Sequence, residues 1–159
     1  AVLCRLATRT PADAVAGSRH SYYSFFGLKK SGNRALHITS VQFDEPRALS
    51  MAANSLTIVT IHGCRNRQPV IYAGGLNISL KDEIARALDA AGFTVTNATR
   101  LPGKNRSNIC NRCLSGKGVQ LEISSGLRRR LYDNPAESGK SKKTPAFNRF
   151  VAAIRSALE

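Results

Sequence analysis

Strand-like and helix-like stretches alternate along the 159 residues of this chain. Residues 1–7 alternate as a short strand does, and residues 11–16, with a proline in the first turn and Gly17 behind them, predict a brief helix. The aromatic run 21–26 predicts a strand, residues 27–34 a turn carrying basic side chains, and residues 35–39 another short strand. Residues 44–53 open with carboxylates and a proline and continue in helix formers, so a helix leads into the β-forming run 56–61. A strand is expected at 69–75. Ser79 with Asp82 three residues on is a capping-box pattern, and Leu80, Ile84, Leu88 and Ala91 then keep helical spacing up to Gly92.

The second half continues the alternation. Residues 93–96 predict a strand, 119–124 a second one, 126–132 a helix, and 146–159 a terminal helix with Phe147, Phe150, Val151, Ile154 and Leu158 on one stripe. Between them, residues 100–118 are Gly, Asn, Lys, Arg and Ser with little apolar content. Such a loop covers a site or is disordered, and the pattern does not choose. Residues 134–145 form a polar loop with Lys140, Lys142 and Lys143. Helix and strand alternating in this way predict an α/β fold: one domain over 1–159, with a mixed, mainly parallel sheet flanked by helices.

In such sheets the active groups lie at the carboxyl ends of strands, where the core stops and loops open a crevice. Two positions draw attention on that ground. The run 56–61 stops at His62-Gly63, which places an imidazole at a strand end; it can serve as a zinc ligand, as a general base, or as a hydrogen-bonded turn residue. In 119–124, Val119, Leu121 and Ile123 share one face, while Gln120, Glu122 and Ser124 share the other. Glu122 is the sole carboxylate between Asp89 and Asp133. A carboxylate on an interior strand is costly to bury alone, so a cation, a metal-bound water, solvent or a structural arginine pair must meet it.

Composition adds a partner class. Twenty-four Lys and Arg against ten Asp and Glu give a formal charge of +14, which attracts polyanions of any kind, nucleic acid and acidic polypeptide included. The bunching of Tyr22, Tyr23, Phe25 and Phe26 favours core packing over a base-stacking face. No apolar run approaches the roughly 20 residues of a bilayer span, and no secretory signal stands at the start, so the expected compartment is the cytoplasm. Four cysteines do not make a disulfide framework. Cys110 and Cys113 have metal or redox spacing, but one pair without a second does not close a tetrahedral site.

Several segments, in order from Ser21 onward, resemble the poly-γ-glutamate hydrolase family, small phage and bacterial proteins with a reduced zinc-carboxypeptidase-like fold. They are Ser21-Tyr-Tyr-Ser-Phe with Gly27-Leu-Lys, Leu36-His-Ile-Thr-Ser40 with Phe43-Asp-Glu-Pro46, Thr60-Ile-His-Gly63, Gly74-Gly-Leu-Asn77, Asn108-Ile with Asn111-Arg112, and Gly118-Val-Gln-Leu-Glu-Ile-Ser124 with Leu127-Arg128. The resemblance implies a single zinc, held by His and Glu of a first motif of the form His-Gly-Gly-x-Ile-Glu and by a second histidine, here His62. It implies that Glu122 is the general base, that γ-glutamyl amide bonds of an acidic polypeptide are cleaved, and that Arg34, His37 and Arg112 line the substrate cleft. The alternative from a different class is a phage-related nucleic-acid-binding or replication accessory protein, using residues 100–117 and 128–130 against phosphates.

The chain departs from the family pattern at one place. The first metal motif should fall at the very start, where residues 1–8 contain neither a histidine nor a glutamate. Either residues that precede Ala1 carry the motif, or the stretch has diverged and the protein is metal-free, unless Cys4 substitutes as a ligand. One histidine does not hold a catalytic zinc, which takes three protein ligands.

Overall fold

In a computed structural model the described residues are 2–5, 11–25, 31–133 and 142–159; for 2–5, 33 and 34 this concerns the backbone alone. The residue Phe26, the turn 27–30, the side chain of Arg34 and most of the loop 134–145 lie outside that set. Six strands form one sheet: β1 (Val2–Arg5), β2 (Tyr22–Phe25), β3 (Val59–Cys64), β4 (Val70–Gly75), β5 (Thr94–Asn97) and β6 (Val119–Ser124), in spatial order β2-β1-β3-β6-β4-β5. All neighbours run parallel except β4 and β6, which are antiparallel. The helices are α1 (Ala12–Ala16), α2 (Pro46–Ala53), α3 (Ile78–Ala90), α4 (Ser125–Leu131) and α5 (Pro145–Ser156). The mixed, mainly parallel sheet with flanking helices is thus borne out.

The strand alternation sorts the sheet into two faces. Val59 and Ile61, Ile71 and Ala73, and Val119, Leu121 and Ile123 point into the main core, where Val15, Ile84, Leu88, Leu127, Phe150 and Ile154 of the helices meet them. The stripe of α5 is buried at Phe147, Phe150, Val151 and Ile154, with the Phe150 ring edge-on to Phe93 at 5.6 Å. The opposite face carries Thr60, His62, Gln120, Glu122 and Ser124, all buried and all polar. A smaller cluster of Phe43, Ala48, Ala52, Ile58, Ile109, Cys110 and Cys113 covers its lower part, built from α2 and the loop that precedes β6.

Three local expectations change. Residues 35–39 do not make a strand; Asn33–Leu36 is a 3-10 turn, because no neighbouring strand offers this short segment a ladder. The cap of α3 is Asn77, whose Oδ1 accepts from the Leu80 N–H at 3.1 Å, rather than a Ser79–Asp82 box. The strand at 56–61 begins three residues later and runs on through His62 and Gly63 to Cys64, because the β6 ladder continues to the pair Cys64–Ser124. Ser124 then ends β6 and starts α4 at once. Its Oγ accepts from the N–H groups of Leu127 and Val70, both at 3.0 Å, and donates to Gln68 O at 2.7 Å.

Helix α2 is tied to β2 by a titratable contact. Glu45 caps the helix, accepting from Ala48 N at 2.8 Å and Arg47 N at 3.2 Å. These bonds, the Ala48 N–H first, and the Tyr23 hydroxyl hold its carboxyl below the usual range against the opposing effect of desolvation. A depressed folded-state pKa gives stability that is present above the unfolded carboxylate range and is lost as pH falls through the folded value. The Tyr23 phenol, pushed up to about 12 by burial and then by Glu45, contributes below the unfolded phenol pKa and loses that contribution only as pH rises through about 12. Tyr23→Phe should therefore move the acid-unfolding midpoint to higher pH, read by circular dichroism; an unmoved midpoint would remove this contact from the account.

Candidate active site at the β3 and β6 row

The parallel ladder pairs His62 of β3 with Glu122 of β6, and the antiparallel ladder pairs Glu122 with Tyr72 of β4. Paired positions share a face, so imidazole, carboxylate and phenol stand in one row across three strands. His62 and Glu122 are 6% and 7% exposed, which places them under a cover rather than at the open rim expected for a strand end. The row lies inside the sheet edge because both strands extend two residues beyond it.

Glu122 is held from the side by a chain of amides. Gln120 Nε2 donates to Glu122 Oε1 at 3.3 Å and to Leu101 O at 3.3 Å, and Gln120 Oε1 accepts from Asn108 Nδ2 at 2.9 Å. Asn108 in turn starts the 3-10 turn Ile109–Asn111 by accepting from Cys110 N. The loop 100–118 is thereby an ordered cover and not a disordered connection. Two glycines let it lie flat on the sheet: a Cβ on Gly74 would stand 2.4 Å from Pro102 O, and one on Gly118 would stand 1.9 Å from Cys110 O. Asn111 completes the cover, with Nδ2 donating to Gly103 O and Asn105 O and Oδ1 accepting from Gly118 N.

A cation near the row is Arg128, in the last turn of α4. Its Nη1 donates to the main-chain oxygens of Cys64 and Ile123, at the ends of β3 and β6. Burial lowers its pKa, while Cys64 and Glu122 act on it in the opposite direction. Cys64, half-buried on the same face, has its thiol pushed up by burial and then by the charge of Glu122. The sequence offers Arg128 as part of a family-like segment and of a basic patch; its place at the ends of β3 and β6 follows from the abrupt β6-to-α4 turn at Ser124, which the pattern of apolar residues does not encode.

The other expected cleft residues separate from the row. Arg112 donates from Nε to Ser107 O at 2.9 Å, from Nη1 to Phe43 O at 3.0 Å and from Nη2 to Val41 O at 3.3 Å. These bonds make it a staple between two loops, a different task from the substrate contact expected of it. His37 is exposed just beyond the 3-10 turn, and Arg34 enters as backbone alone. Cys110 and Cys113 are buried free thiols; Cys110, pushed up to about 12 mainly by burial, is a packing residue rather than half of a metal knuckle.

The donors near the row do not make a catalytic zinc site. Among the described residues no group of three His, Cys, Asp or Glu is placed to hold a metal. The chain's register pairs Cys4 with Ile61, the core-side position before His62. Residues 6–11 contain no His, Cys, Asp or Glu. One imidazole and one carboxylate fall short of the three protein ligands that such a site takes.

Comparison with known proteins agrees with this fold. The sequence profile of the family described as poly-γ-glutamate hydrolase matches residues 6–153. The chain belongs to the poly-γ-glutamate hydrolase family. In Bacillus subtilis strain 168 it is similar to the UPF0714 protein YndL, 36% identical over 116 residues, or 71% of this chain and 46% of YndL. It is also similar to the UPF0714 protein YmaC, 35% identical over 146 residues, or 89% of this chain and 62% of YmaC. The chain thus spans less than two thirds of the length of these curated relatives. A bacteriophage poly-γ-glutamate hydrolase structure superposes with a TM-score of 0.87 at 34% identity, covering 99% of this chain and 82% of that one. The zinc-free structure of YndL gives 0.87 at 30% identity, covering 99% and 83%. None of these relatives lends support to the nucleic-acid alternative. No helix among the described residues is long and apolar enough to cross a membrane.

Proposed function

We propose that this chain recognises γ-linked polyglutamate on the polar face of its sheet, with Glu122 as the proton-accepting group for amide hydrolysis and His62 beside it. The observation that carries the reading is the His62–Glu122 pair, in register on adjacent strands and roofed by an ordered loop. A carboxylate held by the Gln120 amide and excluded from bulk water is a suitable base for a water aimed at an amide carbonyl. The relay from Asn108 through Gln120 sets its orientation. Family membership and a net charge of +14 both suit an acidic polymer. Proton acceptance by Glu122 is the step that the chain's own residues support, since the described donors are too few to hold a catalytic zinc.

The test is competitive fluorescence anisotropy with labelled γ-polyglutamate against a DNA duplex of matched charge, across rising salt. The polymer should be bound in preference to DNA, and the preference should survive at about 0.15 M ionic strength, where exposed charges are screened beyond about 8 Å. Stronger retention of DNA at that salt would overturn the reading.

A further inference from the structure

The guanidinium of Arg128 is engaged on one side only. Nη1 donates to Cys64 O and Ile123 O, and among the described residues Nη2 and Nε donate to no protein acceptor. The group is half-buried, whereas Arg129 and Arg130 after it on α4 are exposed. A half-buried guanidinium that uses one nitrogen on carbonyls keeps three N–H bonds in hand for solvent or an arriving ligand. Its free edge has the fork geometry that takes a carboxylate by two parallel hydrogen bonds. Its anchors, Ile123 O and Cys64 O, lie one and two residues beyond Glu122 and His62, so a carboxylate received there arrives at the strand-end side of the row.

We infer that Arg128 reads a substrate carboxylate: anchored through Nη1 on the ends of β3 and β6, it offers Nε and Nη2 to an acid group arriving beside Glu122. This rests on the polyglutamate reading and deepens it. In a γ-linked polymer every amide nitrogen is attached to a carbon that bears a free carboxylate. In an α-linked polymer of the same charge the carboxylate hangs at the end of a two-methylene arm. A fixed fork beside the base therefore discriminates linkage, which a diffuse positive surface does not.

The experiment measures binding of γ-linked and α-linked glutamate oligomers of equal length to the wild type, Arg128→Gln, Arg128→Lys and the exposed control Arg130→Gln, with folding checked by circular dichroism. The wild type and Arg130→Gln should prefer the γ-linked oligomer. Arg128→Gln should lose roughly 10- to 100-fold in γ-linked binding and most of the preference. Arg128→Lys, which keeps the charge and a donor for the strand-end carbonyls, should lose the preference while remaining folded. Equal losses in Arg128→Gln and Arg130→Gln, or an intact preference in Arg128→Lys, would overturn the inference. If the wild type binds neither oligomer, the polyglutamate reading fails. Arg128 is then judged by the 15N shift of its Nε on titration with glutarate: a saturable shift keeps it as a carboxylate site, and silence removes it.

Discussion

Gly118→Ala is expected to leave the chain unfolded or severely destabilised, while Gly116→Ala two residues earlier should be mild. The added methyl at 118 would stand 1.9 Å from Cys110 O and 2.7 Å from Ile58 O, and both are main-chain atoms that cannot swing aside. Relief requires lifting the 109–111 turn off the sheet, which breaks the Asn111 Oδ1 bond to Gly118 N and the Asn77 N bond to Gly118 O, both at 3.0 Å. Clashes of this kind belong to the exceptional tail, about 4 kcal/mol or more. In a domain of this size that is a fall of roughly 8–16 °C in Tm, if the protein folds at all. At Gly116 nothing lies within 4 Å of the added carbon, and the cost is that of its φ of +65°, on the order of 1 kcal/mol. Thermal melts of the two variants side by side decide the matter. Equal melting temperatures would mean that the loop moves freely on the sheet and that Glu122 is not roofed by it.

The contrast also shows why part of the site was legible in the sequence and part was not. Alternation in 119–124 set Glu122 apart from Val119, Leu121 and Ile123, and the structure keeps that division. Helix α5 could be read because its apolar stripe is local. The row itself was less accessible: His62 and Glu122 are sixty residues apart, and only the order β3-β6-β4 sets them side by side. Pattern also ended the His62 strand three residues early, since a glycine looks like a stop until a partner strand carries the ladder past it. Arg112 and Arg128 are alike in sequence, each basic and near a glycine-containing segment. One is consumed by carbonyls of two loops and the other keeps a free edge, and that difference exists only after the loops are placed.

Metal analysis of the purified chain, refolded with excess zinc and dialysed near neutral pH, should give far less than one zinc per molecule, with no change on His62→Ala. The physical reason is donor arithmetic. Among the described side chains His62 supplies one imidazole and Glu122 one carboxylate, which the role proposed for it as base would occupy. Hydrolysis of γ-polyglutamate, followed by size-exclusion chromatography, should accordingly be unaffected by added zinc or by chelator. Stoichiometric zinc that disappears in His62→Ala would refute this, and would require a third ligand brought to the row from residues outside those described. Glu122→Gln separates the remaining roles. The amide keeps the acceptor used by Gln120 Nε2, so the fold should survive, while any slow cleavage that depends on proton acceptance at this position should stop. Turnover that persists unchanged in Glu122→Gln would place the chemistry elsewhere and leave the His62–Glu122 pair as a buried polar contact between two strands.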